Sequence, residues 1–219
     1  MDGNLIGLIS CLQEKTENRE ILQHLREVLN EFNDEDIRER SSWHPYGFAV
    51  LRLGTAASYN VRFHIWPPNN RSRQNPDWPV HNHPWSLESR IICGRVRNES
   101  YKVTPIAGSS DYRLYEVNYH EDISVLKRTN TYVKCEFIEE TTYSLGDCYR
   151  VPNQAFHASW VDDDIIAATI VRTTKSSTSN PLVVGREGFD MEYRFTRRHC
   201  DSKTLRSLMT AALNELAKG

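Results

Sequence analysis

From Gly47 onward the chain reads as one short extended segment after another: GFAVLRL, YNVRFHIW, SRIICGRVRNESYKVT, DYRLYEVNY, TYVKCEFIEE, GDCYRVP and IIAATIVRT. Each is rich in β-branched or aromatic residues and is bounded by Gly, Pro, Asn or Ser. No helical period separates them, and consecutive strands without crossover helices point to an antiparallel sandwich or barrel. Helices flank this region. Leu5, Ile6, Leu8, Ile9 and Leu12 suggest a short one, and Ile21, Leu22, Leu25, Val28, Leu29 and Phe32 keep the i, i+3, i+4, i+7 spacing of a second. The tail carries Leu205, Leu208, Met209, Ala212, Leu213 and Leu216 on one side of a last helix, with Asp201 or Ser202 placed to cap it. The expected organisation is a helical segment over 1–45, a β-barrel over 46–185 and an extension over 186–219 that ends in the amphipathic helix.

A chain of 219 residues is long enough for one domain with a real core. Lys+Arg 27 against Asp+Glu 29 leaves a formal charge of −2, and no basic face or helix-turn-helix is visible, so neither nucleic acid nor an anionic membrane is expected as a partner. No apolar run is long enough to span a bilayer, and the N-terminus lacks a signal-peptide pattern. The five cysteines are scattered and contain no CxxC, which fits a reducing cytosol and a cytoplasmic protein.

Residues 80–94 read VHNHPWSLESRIICG. On a strand, alternate side chains share a face, so His81 and His83 point the same way, roughly 7 Å apart along the backbone. Two imidazoles with Glu88 nearby can hold a metal, and two histidines on a solvated edge strand are the plainer alternative. The second segment, GDCYRVPNQAFHASW over 146–160, has a turn glycine, a strand, a proline that breaks it, and His157 leading into the next strand.

Together the two segments resemble the cupin family, small β-barrels whose two motifs supply metal ligands. The first motif runs HxH, three or four residues, E, six residues, G; here it is His81-x-His83, four residues, Glu88, five residues, Gly94. The second runs G, five residues, P-x-G, two residues, H, three residues, N; here it is Gly146, five residues, Pro152-x-Gln154, two residues, His157, three residues, Val161. The resemblance covers roughly residues 59–173 and implies a mainly β fold, a double-stranded β-helix (jelly-roll) barrel with helices at both ends. It also implies a divalent metal held by His81, His83, Glu88 and His157: iron(II) first, with manganese, nickel or zinc as alternatives. The spacer after Glu88 is one residue short, which leaves two registers. Glu88 points inward as a ligand or close neighbour, the preferred reading, or Leu87 takes that slot and three histidines remain.

A looser resemblance is to thiol dioxygenases of the cysteine dioxygenase type, cupins with N-terminal helices, a three-histidine iron site and an arginine that holds the substrate carboxylate. The order of helices, the strand YNVRFHIW and a proline-rich approach to HNH is similar. Those enzymes carry cysteine or glycine where this chain has Glu88, and their tyrosine near the end of the barrel has no clear counterpart here, so thiol oxidation itself is not implied.

Strand alternation from Glu88 places Arg90 in the same cavity, where its guanidinium can clamp a substrate carboxylate or phosphate. Arg62 and His64 alternate with Val61, Phe63 and Ile65, and the apolar set is expected to fill the barrel. Ser159 shares a face with His157. Trp78, Trp85 and Trp160 read as wall or core, and Asp162, Asp163 and Asp164 as a hairpin turn. Two polar loops, 67–79 and 174–181, are candidates for a mobile barrel mouth. The functional expectation is a metal-dependent cupin enzyme, a non-heme iron oxygenase (dioxygenase) acting on a small anionic substrate through Arg90 and Glu88, with a second copy of the chain as a further partner. The alternatives are a redox-neutral isomerase, epimerase or lyase, and a non-catalytic binding barrel.

Overall fold

The structure, a computed structural model, describes residues 2–14, 16–69, 71–174 and 179–218. Helices α1 (Asp2–Glu14), α2 (Asn18–Asn30) and α3 (Asp34–Arg40) open the chain, and α4 (Ser202–Leu216) closes it. The spacing of apolar residues on α2 puts Ile21, Leu22, Leu25, Val28 and Leu29 on its buried side. Burying each such side chain contributes about 1.5–3 kcal/mol before chain entropy is set against it. α3 starts in a reciprocal cap, with Asn33 Oδ1 accepting from Asp36 N at 2.9 Å and Asp36 Oδ2 accepting from Asn33 N at 3.2 Å. Asp201 caps α4 by accepting from Thr204 N at 2.8 Å. Among the described residues no helix is long and apolar enough to cross a membrane.

Among the described residues twelve strands lie between: β1 (Ser41–Trp43), β2 (Ala49–Ala56), β3 (Tyr59–Trp66), β4 (Leu87–Cys93), β5 (Arg95–Ile106), β6 (Tyr112–His120), β7 (Ile123–Ser144), β8 (Cys148–Val151), β9 (Phe156–Trp160), β10 (Ala167–Thr173), β11 (Leu182–Arg186) and β12 (Glu192–Thr196). One sheet runs β1-β2-β3-β10-β4-β8 and the other β11-β6-β7-β5-β9, with β12 on β7. The segment around His81 joins the second sheet by bridging His157 of β9 and Val183 of β11. The chain thus crosses from β3 to His81, back to β4, over to β5–β7, back to β8, over to β9 and back to β10. This repeated crossing between two antiparallel sheets is a jelly roll.

The first sheet is covered on both faces. Its outer face packs Leu51, Leu53, Val61, Phe63, Ile65, Ile92 and Ile170 against the apolar sides of α1, α2 and α4. Its inner face meets the second sheet across Phe48, Trp66, Ile91, Val96, Tyr149 and Val151. Loop 67–79 is tied down by Arg71, whose guanidinium donates to the carbonyls of Asp162 (2.8 Å) and Ile165 (2.9 Å) in the β9–β10 turn. Asp162–Asp164 therefore serve that turn, as expected. In the second loop, residues 175–178 lie outside the described residues.

Candidate metal centre and its cavity

His81 and His157 are held opposite each other by an antiparallel bridge: His81 N donates to His157 O at 3.0 Å, and His157 N to His81 O at 2.9 Å. His83, two residues on, returns its ring to the same side. The ring centroids are 4.7 Å (His81–His83), 4.8 Å (His81–His157) and 5.3 Å (His83–His157) apart. One ligating atom from each histidine lies within 4.8 Å of the other two.

The remaining ring nitrogens have their own work. His81 Nδ1 donates to the Pro79 carbonyl at 2.7 Å, and His157 Nδ1 donates to Asn98 Oδ1 at 2.9 Å. Ser159 Oγ donates to the same Asn98 oxygen at 3.3 Å. These bonds fix the tautomer, leaving each Nε2 with a free lone pair; His157 Nε2 is buried without a partner. Burial pushes the ring pKa of His81, His83 and His157 below the usual histidine range, so the imidazoles are neutral. Three converging neutral nitrogens, one of them an orphaned buried acceptor, fit a divalent transition metal. The jelly roll and the pairing of both motifs' histidines in its interior decide the architecture. The fold is a two-sheet jelly-roll barrel with both histidine segments paired inside it, as the resemblance implies.

The three histidines open on a cavity of about 90 Å³ whose wall includes Arg62, His64, Trp85, Leu87, Tyr149 and Thr173. Trp85 stacks on His83, centroids 5.4 Å apart, and the Arg62 guanidinium lies 5.4 Å over the Trp85 ring. A second cavity of about 140 Å³ lies against the same His81 and His83, sharing His44 and Tyr46 with the first. Among the described residues that line either cavity there is no Asp or Glu.

Two expected site residues lie elsewhere. Ile92 of β4 packs under the helices, so Glu88 and Arg90, at even spacing from it, also leave on that outer face. Glu88 Oε1 pairs with Arg172 Nη2 at 2.7 Å, and Glu88 Oε2 pairs with Arg150. Arg90 donates to Thr16 O at 3.0 Å in the α1–α2 connection. Leu87 takes the inward slot, which is the three-histidine register. β3 is also reversed from expectation. Val61, Phe63 and Ile65 face the helix layer, so Arg62 and His64 line the cavity.

Asn98, His44, Tyr46 and Tyr149 were not singled out from sequence. Asn98 had a readable signal, since it follows Val96 by two residues and so places an amide on the inward face of β5. Gln154 stands where the family motif has its second glycine, and it keeps the left-handed conformation (φ 62°) that a glycine would adopt freely. Gly94 has no such latitude: at φ 68° an added Cβ would sit 2.4 Å from the Ile166 carbonyl oxygen.

No family model matches the sequence, and no curated protein matches it. Among solved structures, the chain is similar to the DMSP lyase DddQ from Ruegeria pomeroyi, with 16% identity, 65% of this chain and 54% of that one covered, and a TM-score of 0.37. It is also similar to hydroquinone 1,2-dioxygenase PnpCD in complex with Cd2+ and 4-hydroxybenzonitrile (12% identity, 68% and 76% covered, TM-score 0.36). A third is a sugar phosphate isomerase from a cupin superfamily, from Silicibacter pomeroyi (12% identity, 68% and 76% covered, TM-score 0.33). The chain spans about half the length of the DMSP lyases it matches, 51% and 54%.

Proposed function

We propose that this cupin is a metal-dependent enzyme, a non-heme iron oxygenase of the dioxygenase type acting on a small anionic substrate. The observation that carries this is the convergence of His81, His83 and His157, with the Nδ1 atoms of His81 and His157 already engaged. With Glu88 paired to arginines on the outer face, the donor set is three histidines, as in the thiol dioxygenases that the sequence loosely resembles. Bound there, iron(II) would supply the redox chemistry by which O2 reacts with a substrate. The chain's own residues bind and orient. Arg62 takes the anion-binding role first assigned to Arg90, offering a planar pair of N–H groups from the cavity wall. His64, whose Nε2 is buried without a partner, can accept a hydrogen bond from the same substrate. Trp85, Phe48 and Trp66 give the chamber apolar walls.

The test is metal analysis of protein purified without chelators, with electron paramagnetic resonance before and after nitric oxide and O2 consumption in the presence of candidate acids. Stoichiometric iron with a nitric-oxide-perturbed signal supports the oxygenase. Stoichiometric zinc without O2 uptake overturns it in favour of a redox-neutral lyase or isomerase, and protein that binds no metal overturns the metalloenzyme reading.

A further inference from the structure

The two cavities beside the histidines each contain one arginine. Arg62 lines the inner one but not the outer, and Arg197 lines the outer one but not the inner. Neither forms an ion pair among the described residues, Arg197 Nε is buried without a hydrogen-bond partner, and no carboxylate lines either space. Tyr119, also on the outer cavity, lies under the Arg197 guanidinium at 5.4 Å from the ring centroid. Arg62 in turn lies 5.4 Å over the Trp85 ring on the inner side.

A guanidinium cannot discharge itself by losing a proton, so a partly desolvated one without a counter-ion selects for an anion. Two of them in adjoining chambers, with His81 and His83 in the shared wall, select for two anionic groups held apart. We infer that the substrate is a dianion with two separated acidic groups, a dicarboxylate in its simplest form, one end on Arg62 in the inner cavity and the other on Arg197 in the outer. This rests on the cavity being the substrate site proposed above, and it adds the second anchor. A single multiply charged group such as phosphate would fill only one chamber and engage one arginine.

The probes are malonate, succinate, glutarate and adipate, each compared with the monocarboxylate of equal length, titrated calorimetrically into the protein as purified, with metal content measured on the same sample. One dicarboxylate length is expected to bind about ten- to a hundredfold more tightly than its monoacid, the usual contribution of one charge-assisted anchor. Arg197→Met should erase that preference and leave monoacid affinity unchanged, whereas Arg62→Met should weaken both. Arg197→Gln, with thermal melts of each variant, separates loss of the anchor from loss of the fold. A preference that survives both Arg197 substitutions overturns the inference. So does inorganic phosphate binding as tightly as the best dicarboxylate with dependence on both arginines. Should the metal reading alone fail, metal content falls to zero while the length preference and its Arg197 dependence persist.

Discussion

His81 and His157, distant in sequence, exchange both backbone hydrogen bonds of a single antiparallel bridge, at 3.0 and 2.9 Å. The side chains of His81 and His157 proposed as metal ligands are therefore positioned by main-chain geometry, and the substitution of one ring need not disturb the bridge. His157→Ala should leave the barrel folded and abolish metal binding, as seen by circular dichroism and metal analysis. Full metal occupancy in a folded variant would sink the assignment.

Asn98 touches no metal position itself and acts through His157. Asn98→Ala should weaken metal affinity by about 10–100-fold, because the imidazole loses the bond that sets its tautomer. Asn98→Asp, which keeps the acceptor, should restore most of that loss. Competition with a chelator of known affinity reads both values, and equal affinities for the two variants would argue against a positioning role.

Glu88→Gln should be silent in metal content and expensive in stability. Arg172 is 8% exposed, and the substitution removes its charged partner. Loss of a largely buried charge pair costs about 3–5 kcal/mol when one side is removed, and the residual exposure of Glu88 puts the expectation at the lower end. Urea denaturation measures this. A change in metal stoichiometry without a change in stability would return Glu88 to the metal.

Arg62→Met and Arg90→Met should separate cleanly. The first should weaken binding of small carboxylates about ten- to a hundredfold at unchanged metal content. The second should leave such binding intact and loosen the α1–α2 connection, where Arg90 donates to the Thr16 carbonyl. The reverse pattern in titration calorimetry would restore Arg90 to the cavity.

Burial lowers the His64 ring to about 3 and pushes His44 well below the ordinary range. The unfolded chain, with histidines near 6.5, takes up protons first as pH falls. Stability of the metal-free protein should therefore be full above about pH 6.5 and decline below it, continuing towards the low folded-state value of His64. Each buried histidine contributes at most ~1.4 kcal/mol per pH unit to that slope. Denaturation of wild type and His64→Asn between pH 7.5 and 4.5 should show a shallower slope for the variant, and identical slopes would refute the account.

The antiparallel strands and the helices at both ends were legible in local periodicity, which survives any choice of packing. The joining of His81 and His83 with His157 was legible only through the resemblance of two motifs to the cupin family. The sequence left open which face of each strand points inward. β3 and β4 are apolar on one side and polar on the other, and a period of two cannot say whether the apolar side meets the barrel interior or another layer. The tertiary structure decided that when α1, α2 and α4 covered the first sheet from outside. Val61, Phe63, Ile65 and Ile92 found their apolar partners in the helices, and that turned Arg62 and His64 into the cavity. The same packing sent Glu88 and Arg90 out, because alternate residues on one strand must share a face.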